Sequence, residues 1–218
     1  LDLKSFASVN VPKCVRYNEM WDIGWTNKEI SDSNADIVIC HHKNDMKNYQ
    51  KIEDKMINIS HCADSAIYKD YGLEKKYDVL FTGAVGRHYP FRQRLRKVIP
   101  KLKEHVVCKV LGHPGGNLNK SRGFVLEDYA KLINSSKIAL TCSSRYKYRL
   151  GKYAEIPMCG SIVAADLPDE DQDFFKKFML VISPKMNDEE IVDKILNCLK
   201  DEEGMKRKIL EGIELNKE

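Results

Sequence analysis

Between Arg145 and Asp166 the chain reads RYKYRLGKYAEIPMCGSIVAAD, where Arg145, Lys147, Arg149 and Lys152 precede a single carboxylate, Glu155. A helix start exposes unpaired N–H groups and partial positive charge, so cations gathered around one suit a phosphate or diphosphate. A carboxylate a turn further in can accept both hydroxyls of a ribose. The spacing therefore predicts a nucleotide seat, although an ordinary surface helix with scattered charges would give the same pattern. Gly160 is a helix stop and Ser161 to Ala165 a β-favouring run, so the stretch reads as loop, helix, glycine stop and buried strand.

Regular elements must carry this unit. From Tyr77 onward strands and helices alternate: YDVLFTG, FRQRLRKVIPKLKEH, VVCKVLG, LEDYAKLINSS, KIALTC, the cation-rich helix, SIVAAD and MLVIS. Helical spacing fills the rest, in IVDKILNCL and MKRKILEGIEL. Before that, VPKCVRY, ADIVICH and MINISH are three short apolar runs separated by polar stretches. Both halves predict βα units and mostly parallel sheets. The pattern changes at YGLEKK, Tyr71 to Lys76, which places domains at 1–76 and 77–218. Ligands of open α/β sheets bind beyond the carboxyl ends of strands. Two loops stand there: Gly83 to Arg87 (GAVGR), with His88 and Arg92 following, and His113 to Gly116 (HPGG). GAVGR does not satisfy G-x-G-x-x-G, and a plain turn explains either loop.

With 36 basic and 32 acidic residues the net charge is +4. A nucleic-acid binder would be more one-sided, so no nucleic-acid partner is expected. The seven cysteines are dispersed, without C-x-x-C pairs or zinc spacing. They read as reduced thiols of a cytoplasmic protein. No apolar run reaches membrane-spanning length. The chain has 218 residues and opens on LDLKSF, which suggests a domain of a larger polypeptide or a reduced version of a longer fold.

Arg149, Tyr153, Glu155 and Gly160 followed by SIVAAD resemble the "R-x-x-E-x-x-x-x-G" helix and strand of GT-B glycosyltransferases, especially group 1 and the spore-maturation-protein branch. Tyr77 to Leu102, Lys109 to Gly116 and Glu127 to Ser144 are similar to the preceding elements of that family's nucleotide-binding domain, in the same order. The resemblance implies a Rossmann-like α/β fold with an abbreviated N-terminal acceptor domain. It also implies transfer of a sugar from a UDP or dTDP sugar to a glycan hydroxyl, with no further cofactor. The loop at Gly83 would then face the diphosphate with Arg87 or Arg92, His113 would lie near the base, Arg149, Lys152 and Tyr153 would serve the diphosphate and nucleotide, and Glu155 would hold the ribose.

Retaining members of group 1 have a glutamate eight positions before the ribose-binding one, and here that residue is Lys147. This departure favours an inverting displacement, which needs a general base. Asp22, flanked by Trp21 and Trp25, is preferred, because aromatic side chains form sugar platforms; His41, His42, His61 and Asp64 are the alternatives. Asp169 to Asp173 (DEDQD) contains a D-x-D, but it opens a helix, where acidic residues offset the dipole without a ligand. No metal is therefore expected. A nucleotide-sugar epimerase and a non-catalytic Rossmann-like module of a larger protein are the rival readings.

Overall fold

The computed structural model describes residues 3–112 and 126–217. The chain divides into two compact units, Leu1–His61 and Cys62–Glu218. The division falls before the change of sequence pattern, and residues 62–76 belong to the second unit. There Tyr68 and Tyr71 pack on its core, and Lys75 donates to the carbonyls of Asn134 (2.5 Å) and Gly160 (2.6 Å).

In the first unit, strands β1 (Cys14–Tyr17), β2 (Ile37–Cys40) and β3 (Met56–Asn58) pair in parallel in the order β1-β2-β3. Helix α1 (Leu3–Ser8) packs on α2 (Ile23–Ser33), which links β1 to β2; the short α3 (Lys43–Met46) and a 3-10 turn (Gln50–Lys55) lead to β3. One core fills one face: Met20, Ile30, Ala35, Val38, Cys40, Tyr49 and Met56. Buried polar groups beside it are paired: the Tyr49 hydroxyl donates to the Met20 carbonyl at 2.7 Å and the Asp45 carboxylate accepts from the Met20 N–H at 3.2 Å.

The second unit has five parallel strands: β4 (Tyr77–Gly83), β5 (Cys108–Gly112), β6 (Ser136–Leu140), β7 (Ile162–Ala165) and β8 (Leu180–Val181), in the order β5-β4-β6-β7-β8. Alternate side chains enter two cores. Val79, Phe81, Ile138, Leu140, Ile162 and Ala164 face the side covered by α4 (Pro90–Lys103) and α8 (Asp188–Lys200). Leu80, Ala139, Val163 and Ala165 face α5 (Glu127–Asn134), α6 (Lys152–Met158) and α7 (Gln172–Phe178). A sheet buried on both faces needs the near-continuous apolar runs that the sequence has here. The C-terminal α9 (Glu202–Leu215) packs on α6, α7 and α8.

This strand order contains one switch point. From β4 the chain crosses to β5 on one side, and later returns to β6 on the other. The loops leaving β4 and β6 therefore diverge, and such strand ends are where open α/β sheets form their binding crevice.

Candidate active site

The crevice of the second unit is built from the two diverging loops and the start of α6. Gly83 closes β4 with φ +104°, and a Cβ there would lie 2.9 Å from Arg92 Nη1 and 3.3 Å from Lys152 Cε. Only glycine accepts both that dihedral and the approach of two cations. Arg92, expected to face a diphosphate, is 2% exposed and acts as a strut. Its guanidinium donates to the Ala84 carbonyl (3.1 Å), Thr141 Oγ1 (3.0 Å) and the Cys142 carbonyl (3.4 Å), with the Tyr89 ring 4.4 Å away. It ties the β4 loop to the β6 loop. A backbone bond from Arg145 N–H to the His88 carbonyl (2.8 Å) joins the same two loops. Arg87 is exposed and donates to His88 Nε2 at 3.1 Å. His113 lies outside the described residues.

Lys152 begins α6, where its ammonium donates to the Tyr129 hydroxyl at 2.5 Å and stands 3.8 Å from Glu155 Oε2. The Glu155 side chain is 21% exposed, open enough to meet a ligand. It packs closely on the start of the helix, because a Cβ on Gly151 would come within 3.0 Å of Oε1. Burial raises the Tyr68 phenol pKa, and the charge of Glu155 raises it further. α6 is only seven residues long and its N-cap, Gly151, makes no side-chain cap. A short helix sums few peptide dipoles, so side-chain cations rather than the helix end must supply most of the positive field.

Two residues expected at the ligand are engaged by the fold itself. Tyr153 is fully buried; its hydroxyl donates to the Asp166 carbonyl at 2.6 Å and its ring meets Phe175 edge-on at 5.4 Å. Burial raises its pKa well above the usual phenol range, with the nearby Asp166 charge adding to the effect. It fastens α6 to the end of β7 and cannot reach a nucleotide. Arg149, 16% exposed, lies 3.6 Å from Asp171 Oδ2 and over the rings of Phe175 (5.2 Å) and Phe174 (5.8 Å). Burial lowers its pKa, and Asp171 opposes that shift. Asp171 precedes α7 and Asp173 pairs with Lys176 at 2.9 Å, so D-x-D carboxylates are engaged with cations at a helix start. Among the described residues no group of three or more His, Cys, Asp or Glu could hold a metal ion.

The sequence reading missed Tyr129, Tyr68, Ser143 and Asp166. Asp166 was visible as the last residue of SIVAAD, a polar end to an apolar strand. Its carboxylate accepts from Ser143 N–H (2.9 Å), Ser143 Oγ (2.6 Å) and Lys147 Nζ (2.7 Å).

In the first unit the expected acid–base residues gather at one sheet edge, after the carboxyl ends of the strands. Asp22 follows β1, His41 and His42 follow β2, and His61 comes three residues beyond β3. His41 and His61 stack with centroids 4.2 Å apart, and His42 meets His61 edge-on at 5.5 Å. His41 Nδ1 is 2.6 Å from the Ile59 carbonyl, and His42 is 1% exposed. Asp22 is exposed and already serves the fold by capping α2, where its carboxylate accepts from Trp25 N–H at 3.0 Å. Trp21 and Trp25 are 40% and 55% exposed, as a stacking surface would be.

Residues 87–214 match the family described as glycosyl transferase-like. The chain belongs to this family. Its fold is that of the GT-B glycosyltransferases. TarM superposes with a TM-score of 0.68 at 15% identity, over 96% of this chain and 48% of TarM. HepE from Anabaena, solved in complex with UDP, gives 0.63 at 12% identity, over 94% of this chain and 67% of that one. Sucrose-phosphate synthase from Thermosynechococcus elongatus gives 0.64 at 12%, over 96% and 64%. The chain thus spans about half to two thirds of the length of these relatives. No curated protein sequence matches significantly. No helix among the described residues is long and apolar enough to cross a membrane.

Proposed function

We propose that the chain transfers a sugar from a nucleoside diphosphate sugar to a glycan hydroxyl, with UDP or dTDP as the nucleotide. The observation that carries this reading is the switch point, where Lys152 approaches the glycine that closes β4, donates to the Tyr129 hydroxyl and stands 3.8 Å from the partly exposed Glu155 carboxylate. HepE was solved with UDP and with UDP-glucose, and the O-GlcNAc transferase GtfA with UDP and GlcNAc; their likeness to this chain supports a uridine donor. Glu155 accepts the ribose hydroxyls. Lys152 and neighbouring cations stabilise the diphosphate as charge builds on its leaving oxygen. The acceptor oxygen attacks the anomeric carbon while the bond to the diphosphate breaks, and its proton passes to Asp22, with His42 or His61 as the other candidate bases. Lys147 in place of a second glutamate supports inversion, and side-chain cations in place of a metal support activity without one. The dispersed thiols support a cytoplasmic setting.

The test is binding and turnover with UDP, dTDP and their sugars. UDP should raise the melting temperature, and Glu155→Ala should weaken UDP binding by about 1.5–3 kcal/mol, the loss of hydrogen bonds to a charged acceptor. dTDP lacks the 2′-hydroxyl and should lose less. Product NMR should show an inverted anomeric centre, formed equally well in EDTA. Unchanged UDP affinity in Glu155→Ala would remove the ribose assignment, and interconversion of the donor sugar would mark an epimerase instead.

A further inference from the structure

We propose that Lys147 recognises an anionic group of the donor beyond the α-phosphate, and that Asp166 is the positioning residue that aims it; this rests on the nucleotide-sugar reading above. The loop after β6 is bent by two non-glycine residues in the left-handed region, Ser144 (φ 66°) and Lys147 (φ 59°). Such residues persist only where the surroundings over-determine them, and they gather at sites that hold ligands. Lys147 is fixed at both ends. Its carbonyl accepts from Asp169 N–H at 2.9 Å, and its ammonium donates to Asp166 Oδ2 at 2.7 Å.

The two partners differ sharply in exposure: the Asp166 side chain is 4% exposed and that of Lys147 40%. A buried carboxylate costs much to desolvate and adds little net stability through an ion pair, so its value lies in geometry. Asp166 is locked by both the N–H and the hydroxyl of Ser143 at the end of β6. It therefore holds one N–H of the ammonium in place. The other two N–H groups are directed by a fixed nitrogen at the same strand ends that carry the crevice. The neighbouring cations are committed differently: Arg92 to carbonyls and Thr141, Arg149 to Asp171, Lys152 to Tyr129 and Glu155. Among the described residues, Asp166 is the one ion-pair partner of Lys147. A lysine held this way is pre-organised for an anionic oxygen, because little side-chain freedom remains to be lost on binding.

The anionic group has two sources, the β-phosphate or a carboxylate on the sugar. Calorimetric titration of the whole chain with UMP, UDP, UDP-glucose and UDP-glucuronate separates them. Lys147→Met should lower UDP affinity about tenfold with UMP unchanged, as expected for losing one charge-assisted contact. Lys147→Arg should recover part of it. Asp166→Asn should show the same selectivity for UDP over UMP at a smaller size, which a purely structural role would not produce. A loss confined to UDP-glucuronate would also support the assignment and place the group on the sugar. Equal affinities of Lys147→Met and the parent chain for all four ligands would overturn it. Lys147→Arg keeps a cation on the buried Asp166 carboxylate, and circular dichroism of this variant beside Lys147→Met separates a lost contact from a lost fold. Failure of the parent chain to bind any of the four would overturn the nucleotide reading itself, and this assignment with it.

Discussion

Both units are parallel βα sheets, but their strands are covered differently. Every residue of β7 is buried, and alternate residues of β6 and β7 enter two separate cores. In the first unit Val38 and Met56 enter the single core, while Ile37, Ile57 and Ile59 are 38%, 47% and 48% exposed. Parallel sheets are normally covered on both faces. The central strands of the second unit are thus covered on both faces, whereas the first is a half-covered sheet of three short strands. The proposed chemistry divides the same way. Groups assigned to the donor are held by buried struts and ion pairs, while Asp22, assigned to the proton, is exposed on a helix cap.

The strongest way to break this contrast is to separate the units. A fragment of residues 62–218 should unfold cooperatively in denaturant, followed by circular dichroism. Residues 1–61 alone should show no transition, because a unit of about 60 residues buries too little surface to offset its chain entropy. A cooperative transition in the smaller fragment would mean that its one core suffices.

Asp22→Asn sharpens the functional half of the contrast. Asparagine caps helices as well as aspartate does, so the melting temperature should hold. Turnover should nevertheless fall roughly a hundredfold, the usual worth of a general base, with UDP affinity unchanged. Full activity would move the base to His42 or His61, which share its sheet edge with the stacked His41.

The sequence disclosed the alternation of strands and helices, the Gly160 stop and the α6 carboxylate, because these depend on local periodicity and backbone preference. It also placed Gly83 correctly at the end of β4, though not the reason, which is the approach of Arg92 and Lys152 from distant turns. What local pattern could not convey was the direction of side chains across the fold. Arg92 and Arg149 read as free phosphate ligands, yet one is a strut between loops and the other is paired with Asp171. Tyr153 is adjacent to useful residues in sequence but turned into the core. Asp166 was hidden for the converse reason, since its partners lie 19 and 23 positions away on another strand end.

The finest probe of the contrast is one substitution made at two places. Isoleucine to threonine keeps the β-branch and its strand preference, so it isolates burial from backbone propensity. At Ile138, which is 0% exposed in the first core of the larger sheet, the change leaves a cavity and a hydroxyl without water, at a cost of about 2 kcal/mol or more. At Ile57, 47% exposed on the uncovered face, the hydroxyl stays hydrated and little packing is lost. Stability there should change by less than about 0.5 kcal/mol, measured as a shift in the denaturant midpoint at constant slope. A cost at Ile57 approaching that at Ile138 would show that something covers this face in solution, and the half-covered description of the first sheet would fail.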